Sequence, residues 1–173
     1  MTGVFTFKCP AGPGPAGEDN IADIILHMNL NEFPDENSKR FVAVLNKKVE
    51  VGKLLNALGH TTAGLSREVE SLDEMCFINY EDKDGNIHPS QSHFPFIVLS
   101  SDNSNKIRKV RNEALARNIP FTDFTSTMSI GTSQEQIDAT ATVAETDLDY
   151  WAICLFGDTG ELKEITGKFS LFR

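Results

Sequence analysis

Lys53 and His60 stand seven residues apart in VGKLLNALGHTTAGLSREV, residues 51–69. On a helix that spacing falls about 20° short of two turns, so both side chains share a face roughly 10 Å apart. An ammonium can stabilise developing negative charge on an oxyanion or phosphate. An imidazole titrates near neutral pH and can carry protons. Asn56 and Arg67 join this face, while Gly52, Ala57, Gly59, Ala63 and Gly64 leave its flanks thin enough for a backbone or ligand to approach. The same pattern also describes the solvated side of an ordinary amphipathic helix.

Asp123, in PFTDFTSTMSIG, is the carboxylate that could orient such a pair, or could simply close an Asx turn. Thr122, Thr125 and Thr127 offer hydroxyls beside it. His88 and His93 flank Pro89 in GNIHPSQSHFPF. Their spacing matches no zinc signature, so no metal is expected. His93, just ahead of an apolar run, reads as a hydrogen-bonded structural histidine or as a group lining a site. Ser92 and His93 are no nucleophile pair, because neighbours on an extended chain point to opposite sides. Lys106, Arg108, Lys109, Arg111 and Arg117 against Glu113 form a basic stripe, either a solvated face or a phosphate contact. No GxGxxG, P-loop, HExxH or GxSxG occurs.

These residues need elements to hold them. FVAVLN (41–46), MCFINY (75–80), FPFIVLS (94–100), IPFTDF (119–124) and YWAICLFG (150–157) read as strands, with FSLF (169–172) as a last short one. EDKDGN carries an Asp-Gly turn signal. A helix over 52–69 would bury Leu54, Leu58, Leu65 and Val69. A second over 101–118 would bury Ile107, Val110 and Ala114, and a third over 133–144 opens with Ser133 and Gln136 at capping-box spacing. Asp158 and Glu161 repeat that spacing ahead of a helix over 159–167, which faces inward with Leu162 and Ile165. Helices alternating with apolar strands predict an α/β fold with a sheet covered on both faces. Ligands gather at the carboxyl ends of such strands, which here means the turns after 41–46, 94–100 and 119–124.

A chain of 173 residues fits one domain that buries about two-thirds of its unfolded surface. Five of its nine net negative charges lie in residues 1–37. The acidic balance argues against general attraction to nucleic acid, and DNA is not an expected partner. Residues 1–20, rich in Pro and Gly, read as an irregular tail without a secretory signal, and 21–28 as a segment apolar enough to dock. No apolar run is long enough to span a membrane. Cys9, Cys76 and Cys154 are odd in number and widely spaced, so free thiols and a cytoplasmic setting are expected, with little reactivity at Cys9.

GKLLNALGHTTAGL, DGNIHPSQSHFPFIVLS, PFTDFTSTM and DYWAICLFGDTGELKEITGKFSLFR together resemble the domain-of-unknown-function 2000 family, itself similar in fold to the type II peptidyl-tRNA hydrolases. The resemblance covers residues 39–173 and leaves 1–38 as an acidic extension. It implies a small mixed β-sheet between helices, and a homodimer. The Gly-Lys and later His of those hydrolases match Gly52, Lys53 and His60; their Asp-bearing loop matches Asp123 loosely. Their second Gly-Lys is Glu50-Val51 here, their Gln is Ala57, and their Asp-Ala-Gly is Asp123-Phe124-Thr125. Two functions follow as expectations. One is hydrolysis of an ester or amide in a tRNA-linked or small-molecule substrate, without a cofactor. There Lys53, His60 and Asp123 would be catalytic, and Asn56, His93 and Thr125 would hold substrate. The other is a non-catalytic module that binds a ligand or protein through the same pocket.

Overall fold

The computed structural model describes residues 33–173. The expectations for residues 1–20, for 21–28 and for Cys9 lie outside them. Five strands form one mixed sheet in the order β5-β6-β1-β4-β7: β1 (Lys39–Asn46), β4 (Phe96–Ser101), β5 (Phe121–Thr125), β6 (Tyr150–Asp158) and β7 (Ser170–Leu171). Only β1 and β4 run parallel; the other neighbours pair antiparallel. β2 (Phe77–Glu81) and β3 (Ile87–Ser92) make a separate hairpin, turning at Gly85 with φ 84°. The expected loop around Pro89 is therefore partly a strand.

Side-chain alternation along β1 explains why both sheet faces are covered. Phe41, Ala43 and Leu45 point to one face, Val42 and Val44 to the other, and all five are buried. Helix α1 (Val51–Leu65) packs on the first face through Leu54, Ala57 and Leu65. Helices α2 (Ser104–Ala116) and α4 (Thr159–Thr166) cover the second with Ile107, Val110, Ala114, Leu162 and Ile165. The mixed α/β architecture is as the sequence predicts. Helix α3 (Ser133–Ala141) buries none of its residues. Its cap is Thr132, whose hydroxyl accepts from Glu135 N while Glu135 reaches back, one residue earlier than the Ser133–Gln136 pairing predicted.

Two further corrections concern α1 and the cysteines. The buried stripe of α1 runs through Leu54, Ala57, Thr61 and Leu65. Relative to the expected stripe of Leu54, Leu58, Leu65 and Val69, of which Leu58 and Val69 are partly buried against the core, it is turned by roughly 45° about the axis. The helix ends at Leu65, so Arg67 lies in the turn beyond it. Small side chains at Ala57 and Thr61 let it lie close to the sheet, and Gly64 meets Thr122, where a Cβ would stand 3.2 Å from the threonine methyl. Cys76, expected as a free thiol, is disulfide-bonded. Cys154 is free and buried in β6, where burial pushes its thiol up to about 12. No helix among the described residues is long and apolar enough to cross a membrane.

Candidate functional site

The turned stripe moves Lys53 and His60 from the outer side of α1 to its flank above β5 and β6. Both are exposed. The Lys53 ammonium stands 5.8 Å from the centre of the Trp151 ring, and the His60 ring lies 5.8 Å from Phe124 at 30°. Phe124 and Trp151 in turn lie 6.2 Å apart, so the cation and the imidazole share one aromatic footing that is itself buried. Asn56 is exposed on the same helix, one turn from each. Gly59, next to His60, has open space where a Cβ would stand.

A β-bulge aims Trp151 at this footing. Phe124 pairs with Ala152, but Thr125 pairs with Tyr150, so Trp151 is an extra residue on β6. An extra residue reverses alternation locally. Tyr150 consequently packs with the α2 face and Trp151 with the α1 face. The indole N–H donates to Asp149 at 2.9 Å, which fixes the ring. Sequence reading missed Trp151; no local signal marks the bulge.

Asp123 is not part of this group. Thr122 faces α1, its hydroxyl donating to the Thr61 carbonyl, so the next residue on the strand points the opposite way. Asp123 accepts from Arg111 Nε at 2.8 Å on the α2 side. Burial pushes its carboxyl above the ordinary carboxylate value, the Arg111 contact offsetting part of that and Glu145 adding to it. Arg111 also approaches Glu145 at 4.0 Å, and Glu145 accepts the Tyr150 hydroxyl at 3.0 Å. Burial and that hydrogen bond push the Tyr150 phenol up to about 12. The expected Asp123–His60 contact is thus replaced by an ion-pair network across the sheet.

The remaining expected residues make their contacts within the scaffold. His93 donates from Nε2 to the Pro34 carbonyl at 2.9 Å and packs on Phe33 and Phe94. It lies where β1 and β4 begin, since Phe41 N bonds the Pro95 carbonyl. Trp151 sits by Ala152, which pairs with Leu45 near the end of β1. Thr125 is fully buried and begins a hydroxyl chain through Thr127 to Thr140 that ties α3 to β5, and the Thr140 hydroxyl also donates to the Gln136 carbonyl within its own helix. Most of the basic stripe on α2 is spent on acids: Lys106 on Asp102, Arg108 on Glu145, Arg111 on Asp123, and Arg117 on Glu113 and Glu164. No group of three metal-ligating side chains is gathered among the described residues.

The profile of a family described as proteins of unknown function, DUF2000, matches residues 39–173. The chain belongs to the DUF2000 family. Among solved structures, a protein of unknown function, Atu0240 from Agrobacterium tumefaciens strain C58, is similar at 19% identity and a TM-score of 0.68. The match covers 79% of this chain and 98% of that one, and bears on fold. No curated protein matches this chain. In this DUF2000 protein the matched segment begins with β1 and carries both sides of the α1–β5 junction.

Proposed function

We propose that this DUF2000 protein is a non-catalytic binding module whose Lys53 and His60 receive an anionic group, a carboxylate or phosphate, of a bound ligand. The observation that carries this reading is the turning of Asp123 away to Arg111. Lys53 has no carboxylate partner among the described residues. The negative charge that a hydrolytic arrangement would take from the protein is left for the ligand to bring. Asn56 adds an amide on the same flank, and Gly59 leaves room beside it. A thermal-shift panel of nucleotides and acyl metabolites tests this, since a ligand that binds only the folded state raises its midpoint. A stabilising ligand, recovered unchanged and no longer effective on Lys53→Ala, is the expected result. Stabilisation of Lys53→Ala equal to that of the parent chain overturns it.

Hydrolysis of an aminoacyl or peptidyl ester is a second reading, favoured by the Gly52, Lys53 and His60 spacing and by the shared footing of the last two. His60 would then work without an orienting carboxylate from Asp123. Release of the acyl group from peptidyl-tRNA by the parent chain, lost in Lys53→Ala and in His60→Ala, would establish this reading in place of the first.

A further inference from the structure

Beyond the ends of the parallel strands β1 and β4, a cleft of about 270 Å³ opens between the start of α2 and the turn into β7. Three lysines line it from separate segments: Lys47 just after β1, Lys106 in the first turn of α2 and Lys168 after α4, whose ammonium stands 5.5 Å from the centre of the Phe169 ring. Asp102 is the acid among them, bound by Lys106 at 2.8 Å. Its carboxyl is held below the usual range, first by the Lys106 hydrogen bond and in smaller part by Lys47. Lys47 and Lys168 have no carboxylate partner among the described residues. The wall therefore carries a local charge of +2 in a chain of net charge −9.

We propose that this cleft binds the phosphate group of a small phosphorylated metabolite. A phosphate dianion would balance the local charge, and the field of the lining lysines would draw it in. Lys47 and Lys168 can each donate, as can Ser100, whose hydroxyl has only a long 3.4 Å bond to the Ser170 carbonyl. The volume is just below the roughly 300–1,000 Å³ of pockets that enclose a drug-sized ligand. It suits a phosphate and one short appended group, which Phe169 on the wall would cover. Position agrees with chemistry, because ligands of α/β sheets sit outside the carboxyl ends of strands.

The experiment is a titration of the full chain with inorganic phosphate and with glycerol phosphate at constant ionic strength, followed by backbone amide resonances. Saturable shifts centred on Lys47, Ser100, Ser101 and Lys168 are expected. Lys47→Ala and Lys168→Ala, both at exposed positions, should each weaken binding about tenfold. Lys83→Ala, in the distant β2–β3 turn, should leave it unchanged. Shifts that stay linear with concentration, that centre on Lys53 and His60, or that weaken equally in Lys83→Ala would overturn the proposal.

Discussion

Asp123 and Phe124 are chain neighbours with opposite surroundings. Asp123 joins Arg111, Glu145 and Tyr150 in a network whose hydrogen bonds are satisfied within the protein. Phe124 faces the other way and supports His60, beside the Trp151 that supports Lys53. The network around Asp123 therefore spends its charges on itself, while the junction at Phe124 leaves a cation and an imidazole open to solvent. The lesson is that side-chain parity along one strand separates residues that look like a single catalytic set in the sequence. Charges closed in a network hold the fold, and charges standing open on a packed base are available to a partner.

Substitutions on the two faces should differ accordingly. Phe124→Ala removes the base itself and should cost about 3–5 kcal/mol in urea unfolding, as large-to-small core changes do; a loss below about 1 kcal/mol would mean that the base is not packed. Arg111→Ala leaves Asp123 half-buried without its partner. About 2 kcal/mol is expected, less than for a fully buried pair because both groups keep some solvent contact. The same variant should move the Asp123 carboxyl midpoint further up, read from its carboxyl carbon resonance.

The parent chain carries a pH signature of the same network. Burial makes folded Asp123 keep its proton to higher pH than the unfolded chain does. The folded state then binds more protons between the two midpoints, so this group's contribution to stability falls as pH rises from the unfolded value of about 3.9 to the folded one. Asp123→Asn should flatten that part of the stability profile; an unchanged profile would place the carboxyl in ordinary solvent. Tyr150→Phe removes only the hydrogen bond to Glu145 and should cost about 1 kcal/mol. On the open face, Lys53→Ala and His60→Ala should change stability by no more than about 0.5 kcal/mol, since neither side chain is buried. A larger loss at either would assign it to the scaffold and erase the contrast.

Much of the fold was legible because burial repeats locally. Val42 and Val44 in β1, Ile107, Val110 and Ala114 in α2, and Leu162 and Ile165 in α4 are buried as their spacing predicts, and Asp158 caps α4. What escaped depends on tertiary fit. The roll of α1 is set by how closely Ala57 and Thr61 let it approach, which leucine counting misses. That roll decides where Lys53 and His60 point. Alternation alone separates Asp123 from Phe124, but which of them meets α1 depends on where the helix docks. The extra residue at Trp151 has no sequence mark, and Thr132 and Ser133 are chemically equivalent caps until the backbone chooses. Cys76 needed a bonding partner that spacing could not name.

The bulge has an optical consequence. Trp151 is the sole tryptophan of the chain, and the extra residue turns it beneath the Lys53 ammonium. Selectively excited indole emission is therefore a built-in, label-free reporter of that junction. An anion drawn to Lys53 should alter its intensity or colour, whereas one captured by Lys47 and Lys168 beyond the strand ends should leave the light unchanged.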